Sequence, residues 1–244
     1  MIRAVIFDLD NTLTDFMRMK EQSVDAAIQA MIDAGLTLPA EQAKARVYEI
    51  YGREGIEYQQ VFDEFLRDAL GHVDYKLLSA AIVAYRSVRS TTLVLYPHVQ
   101  LTLLELAKRG LGLAVISDAP RLQAWLRLAH LQLLNFFDHV VTFDDTRERK
   151  PSPAPFRRAL EQLGIAAPEA LMVGDWAERD MVGAKALGMR TVFARYGDTF
   201  GTQVSGADWD ADDVLDVVRI VDEANAGSAP RTPAVDAGAP FRRA

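Results

Sequence analysis

The sequence contains no cysteine, which excludes disulfides, thiolate catalysis and Cys-ligated zinc or iron–sulfur sites. Histidine is scarce as well: four residues are scattered along the chain with no HxxxH pair, so any metal would be held by oxygen. Positive charge is in deficit, with 27 Lys and Arg against 34 Asp and Glu and a net charge of -7. That balance argues against a nonspecific nucleic-acid or anionic-membrane partner, both of which need a basic field. No run of about 18 uninterrupted apolar residues occurs, and the N-terminus has no basic region followed by a long apolar stretch. A soluble, cytoplasmic protein is expected.

What is present is enough for a substantial core. The 244 residues are 50% hydrophobic and 25% charged, close to globular norms. The length exceeds a typical domain of about 100 to 150 residues, which points to one large domain or a domain carrying an insertion.

Ala4, Val5, Ile6 and Phe7 read as a strand buried on both faces, ending at Asp8, Leu9, Asp10, Asn11 and Thr12. From Phe16 the pattern turns helical. Val24, Ile28, Met31 and Ile32 recur at helical spacing up to Gly35, and Pro39 opens a second helix with Ala43, Val47 and Ile50 before Gly52. Tyr58, Val61, Phe62, Phe65, Leu66 and Ala69 form a third stripe stopping at Gly71. Asp74 caps a fourth carrying Leu77, Leu78, Ala81, Ile82 and Tyr85. Four helices with no intervening strand look like a module inserted into something else.

From Leu93 strands and helices alternate. A helix over 98–109 carries Leu101, Leu104 and Leu106, and Leu111 to Ile116 is a strand ending at Ser117 and Asp118. The helix after Pro120 turns Leu122, Trp125, Leu126 and Leu128 inward. Val140 to Phe143 is a strand, Pro153 to Leu163 a helix with Phe156 and Leu160 on one face, and Leu171 to Val173 a strand ending at Gly174 and Asp175. Residues 178–187 are helical and Thr191 to Ala194 is another strand. This alternation predicts an α/β fold: a Rossmann-like parallel sheet with helices on both faces. The expected division is a core of 1–15 and 91–224, an inserted four-helix cap over 16–90, and a disordered tail over 225–244, where Ala, Gly and Pro dominate.

Polar residues gather where the apolar strands end: Asp8, Asp10, Ser117, Asp118, Asp175 and Asp180, with Lys150 in a connection. Ligands of open parallel sheets bind outside the carboxyl ends of the strands, so these positions can converge. Asp8, Asp10, Asp175 and Asp180 bring about four negative charges against Lys150 alone, which calls for a divalent cation, and oxygen-loving Mg2+ suits the donors. Mg2+ shares its shell readily with phosphate, making phosphoryl chemistry the first candidate. An aspartate can then be the nucleophile, Asp10 an acid and base, and Lys150 and Ser117 contacts for the phosphate. Each also has a plainer reading: Ser117 and Asp118 as a helix cap, Lys150 as the end of a solvated charged run, and Asp180 as a first-turn acid.

Asp8-Leu9-Asp10-Asn11-Thr12, Ser117, Lys150-Pro151, and Gly174-Asp175 with Asp180 resemble the four ordered motifs of the haloacid dehalogenase superfamily, in the subfamily with a helical cap after the first motif. The resemblance covers residues 3 to about 222. It implies Asp8 as nucleophile, Asp10 as general acid and base, and Ser117 and Lys150 as phosphate binders. It further implies Mg2+ held by Asp8, the backbone carbonyl of Asp10 and Asp175, with Asp180 either a further ligand or a support for the others; Thr12 reads as an orienting residue in the turn after the two acids. Asp10 favours a phosphatase of small phosphorylated metabolites over a dehalogenase and leaves a sugar-phosphate mutase open; a receiver-type phosphoprotein and a non-catalytic relative are further alternatives. Two positions depart from the pattern: Asn11 stands where Gly is common, and Trp176 follows Asp175. In the cap, Arg18, Lys20, Arg53, Glu54 and Tyr58 are candidate substrate contacts, with hinges at 14–16 and 90–97.

Overall fold

The computed structural model describes residues 1–226. Most of the tail expected over 225–244 lies outside the described residues. Asn225 and Ala226 do not begin it, because they close the last helix, where the Asn225 Oδ1 accepts from the Ile2 N–H at 2.5 Å.

Six parallel strands form one sheet in the order β3-β2-β1-β4-β5-β6. They are β1 (Ala4–Phe7), β2 (Gly112–Ile116), β3 (His139–Val141), β4 (Ala170–Gly174), β5 (Arg190–Ala194) and β6 (Trp209–Ala211). β1 lies between β2 and β4 and is apolar throughout because both of its faces are covered. Its side chains alternate between two cores. Val5 and Phe7 join Leu113 and Val115 under α5 (Val99–Lys108), α6 (Arg121–His130) and α10 (Asp216–Ala226). Ile6 joins Ala114, Ile116 and Met172 under α8 (Pro153–Leu163), through Phe156 and Ala159.

Register sets the level of the strand ends. Phe7 pairs with both Val115 and Val173, so Asp8, Ser117 and Asp175 leave neighbouring strands at nearly the same height. The strand order reverses between β1 and β4, the place where a sheet of this topology opens a crevice for ligands.

Between β1 and α5, the helices α1 (Phe16–Asp33), α2 (Ala40–Glu54), α3 (Val61–Leu70) and α4 (Tyr75–Thr92) share a separate apolar cluster that includes Val24, Ile28, Val47, Phe65, Leu66 and Leu78. The Asp74 side chain caps α4, accepting from the Lys76 N–H at 2.8 Å. Gly71 ends α3 with a left-handed φ of 79°. The two connections joining this bundle to the sheet run side by side: Thr14 Oγ1 donates to the Val94 carbonyl at 2.6 Å, and the Tyr96 N–H to the Leu13 carbonyl at 3.1 Å.

Several local expectations are corrected. α2 runs through Gly52 and ends at Gly55, whose φ is 95°, since buried Tyr51 extends its apolar face by another turn. α5 buries Val99, Thr102, Leu103 and Leu106 and leaves Leu101 and Leu104 46% exposed. Two apolar stripes compete on that helix, and the one at i, i+3, i+4, i+7 faces the sheet. α6 buries Ala124, Arg127 and Leu128, whereas Leu122, Trp125 and Leu126 face solvent. The strand expected over 140–143 is β3, ending at Val141; Thr142 then caps the short helix α7 (Phe143–Thr146) in a box with Asp145. Residues 177–181 form a π-helical turn before α9 (Val182–Ala186). β6 and α10 were not anticipated, as Trp209-Asp210-Ala211 is short and mixed in polarity.

Phe65 is fully buried at the centre of the bundle cluster. Phe65→Ala is expected to destabilise the protein by about 3–5 kcal/mol, while Tyr75→Ala, on an exposed side chain, should change stability by less than about 0.5 kcal/mol. Urea denaturation followed by circular dichroism measures both.

Candidate active site

Asp8 is the first residue beyond β1, and its N–H still bonds the Val173 carbonyl of β4 at 2.8 Å. Its Oδ1 accepts from Lys150 Nζ at 2.6 Å, and the same ammonium lies 2.7 Å from Asp180 Oδ1. Lys150 is only 4% exposed, so its place in a charged run does not make it a solvated loop residue. The connection is drawn in by Asp118, whose Oδ1 accepts from the Lys150 N–H at 3.0 Å while its Oδ2 pairs with Arg179 at 3.1 Å. Burial works to lower the Lys150 ammonium, but Asp180, Asp8 and Asp118 outweigh it and the net shift is upward. The lysine is held charged.

Asp175 follows β4, and its Oδ1 accepts from Thr12 Oγ1 at 3.0 Å. Asp180 hangs from the π-helical turn, with Oδ2 accepting from the Trp176 N–H at 3.1 Å. Gly174 makes that approach feasible, since a Cβ there would lie 2.4 Å from Asp180 Cγ. One oxygen each from Asp8, Asp175 and Asp180 falls within 4.8 Å of the others. Burial pushes the Asp180 carboxyl up to about 7 against the pull of Lys150. Burial, then the charges of Asp8 and Asp180, also raise Asp175 well above the usual range. When all three are ionised, these buried carboxylates facing one ammonium leave two negative charges uncompensated, the cost that their upward shifts express. An all-oxygen donor set with that deficit fits a hard divalent cation.

The Asp10 carboxylate is not part of this cluster. Its Oδ2 accepts from Arg127 at 2.8 Å, and its Oδ1 is buried without a hydrogen-bond partner among the described residues. Burial raises this carboxyl to about 7, opposed by Arg127 and reinforced by Glu57. Ser117 is buried at the end of β2, with Oγ accepting from the Ala119 N–H at 3.2 Å. Asn11 adopts the left-handed φ of 58° that Asn tolerates, and its side chain accepts from the Met17 N–H at the start of α1. Gly197 packs so closely on this turn that a Cβ would lie 1.6 Å from the Asn11 carbonyl oxygen. Tyr196 OH donates to the Thr12 carbonyl at 2.9 Å. The Trp176 ring packs on Phe200 and beneath the Arg179 guanidinium, so its direct contribution to the carboxylates is its backbone N–H.

Of the five polar bundle residues singled out in the sequence, Lys20 alone is buried, with Nζ 4.2 Å from the centre of the Tyr51 ring. Burial lowers its ammonium to about 8. Arg53 pairs at the surface with Glu54 and Glu64, and Arg18 is exposed. Sequence reasoning missed Arg127 and Glu57. The charge count took Lys150 as the sole cation, and α6 looked apolar. The signal that would have found Arg127 is its phase, in line with Ala124 and Leu128. A pocket of about 490 Å³ lined by Ile2, Arg109, Asp222 and Asn225 lies at the amino ends of β1 and β2, away from these groups.

Known proteins share this fold. The family model described as haloacid dehalogenase-like hydrolase matches residues 5–194. A glyceraldehyde 3-phosphate phosphatase of Methanocaldococcus jannaschii is 36% identical over 192 residues, covering 79% of this chain and 84% of that protein. A phosphoglycolate phosphatase of Photorhabdus laumondii is 32% identical over 207 residues, covering 84% and 85%. Among solved structures, a HAD phosphatase from Thermococcus onnurineus superposes with a TM-score of 0.71 at 28% identity, covering 90% of this chain and 98% of that one. With the family model matching residues 5–194, from β1 through β5, this chain belongs to the haloacid dehalogenase-like hydrolase family.

Proposed function

We propose that the protein is a Mg2+-dependent phosphatase of small phosphate monoesters that works through an aspartyl-phosphate on Asp8. The observation that carries this reading is the Lys150 ammonium held between Asp8 and Asp180 beside Asp175. The relatives named as phosphatases of glyceraldehyde 3-phosphate and phosphoglycolate support the substrate class.

An Asp8 oxygen attacks phosphorus as the ester P–O bond breaks, and Asp10 gives its proton to the departing oxygen. Water then attacks the phosphorus of the acyl phosphate, Asp10 takes the proton from that water, and the bond to Asp8 breaks to release phosphate. Lys150 and Ser117 meet the phosphate oxygens, and Thr12 orients Asp175. Asp8, Asp175 and Asp180, with the backbone carbonyl of Asp10, would hold Mg2+, which would neutralise charge on the phosphoryl group.

The bundle over 16–90 serves as a cap on the core formed by 1–15 and 91–224. The paired connections around Thr14 and Val94 act as its hinge, which supports closure as a way to exclude water. Lys20, buried between the rings of Tyr51 and Tyr85, recognises an oxygen on the organic part of the substrate.

Asp8→Asn should abolish hydrolysis of p-nitrophenyl phosphate, and EDTA should abolish it reversibly; turnover surviving the substitution overturns the reading. Gly174→Ala, by displacing Asp180, is expected to raise the Mg2+ concentration for half-maximal rate by about tenfold or more, measured by Mg2+ titration of the rate. Lys20→Met should raise KM for phosphoglycolate by about tenfold and leave KM for phenyl phosphate, whose organic part has no oxygen acceptor beyond the ester oxygen, nearly unchanged in steady-state assays.

A further inference from the structure

Arg127 takes no part in the steps above, yet it lies against them. It projects from α6 and is only 3% exposed. One terminal nitrogen donates to Asp10 Oδ2 at 2.8 Å, and the other bonds Glu57 Oε1 in the connection between α2 and α3. The guanidinium also lies 4.3 Å over the Phe16 ring at the first turn of α1. Three segments far apart in sequence therefore meet on one side chain.

Stability alone is a weak reason for this arrangement. A buried cation with two carboxylates is often no more stabilising than an apolar cluster of the same volume. The guanidinium does supply direction: one N–H on Oδ2 restrains the Asp10 carboxyl group, and the rigid plane ties that restraint to Glu57. Holding Asp10 by Oδ2 leaves Oδ1, which is buried and has no hydrogen-bond partner among the described residues.

We propose that Arg127 is a positioning residue that holds Asp10 so that Oδ1 carries the proton to the leaving oxygen, and that Glu57 makes this hold depend on the seating of the helical bundle. The inference rests on the phosphatase reading and deepens it. As the ester P–O bond breaks, its electron pair stays on the leaving oxygen, which takes the proton from Oδ1. The Asp10 carboxylate left behind stays paired with Arg127 until it accepts a proton from the attacking water. When the bundle lifts, Glu57 leaves and Arg127 loses half of its anchorage, so Asp10 is aligned only in the closed arrangement.

The test compares two substrates. The phenolate of p-nitrophenyl phosphate departs with little help from a proton, whereas an alkyl phosphate monoester that the enzyme turns over needs that proton. Arg127→Met is expected to lower kcat/KM, which reports the steps up to release of the alcohol, about 30-fold or more on the alkyl ester and only about threefold on the aryl ester, while the later attack of water slows alike for both. Arg127→Lys, which keeps the charge but not the fork, should recover part of the loss. In an Asp10→Asn background, Arg127→Met should cost nothing further on the alkyl ester, because the two act as one unit.

Equal losses of kcat/KM on both substrates, or additive losses in the double variant, would overturn the proposal. If Arg127→Met does not fold, Glu57→Gln carries the same comparison, with a several-fold loss confined to the alkyl ester expected and equal or absent losses overturning it. Turnover that survives Asp8→Asn would instead refute the phosphatase reading itself, so the two failures are distinct.

Discussion

Carboxylates crowded at the ends of buried parallel strands are the constraint on which the rest of this structure depends. Asp8, Asp175 and Asp180 lie close enough for one ion to touch all three, and each has lost most of its water. Such a group is tolerable only with compensation. The chain supplies part of it by threading Lys150 between two of the acids, and spends Asp118 and Arg179 on holding that connection in place. Gly174 and Gly197 follow from the same crowding, because neither position has room for a side chain. Even Trp176, the departure that drew notice beside Asp175, contributes through the backbone group it shares with every other non-proline residue.

The parallel α/β fold was legible in the sequence because strands buried on both faces cannot hide their composition. Ala4 to Phe7, Leu113 to Ile116 and Leu171 to Val173 are apolar runs with charge or glycine at their ends, and register then brings those ends to one level. β6 was not legible, since an edge strand of three residues has one neighbour and needs no apolar run. The phases of α5 and α6 were misread for a related reason. Both helices carry more apolar residues than their buried faces can accommodate, so the surplus leucines and Trp125 face solvent and blur the period.

The candidate site was legible where the residue type is costly to bury and sits at a strand end, as with Asp8, Asp175 and Asp180. It was illegible where the meaning lies in a pairing across the fold. Arg127 and Glu57 are 70 residues apart, and neither stands out until α6 and the α2–α3 connection are packed together. Lys20 was one of five equal candidates, and burial alone separates it from Arg18 and Arg53. Position along the chain cannot convey burial for a side chain whose stem is apolar and whose tip is charged.

The hydrogen bonds joining Thr14 to Val94 and Tyr96 to Leu13 bring the exit and the return of the chain to one point on the sheet. The helices between them have their own apolar cluster. A segment that departs and rejoins at a single stitch can be recomposed without altering the register of the strands beneath it. Such a junction allows the bundle to drift in sequence while the strands keep their register, because the two meet chiefly along this seam, at the Arg127 contacts and where Phe16 and Met19 pack into the sheet's cluster.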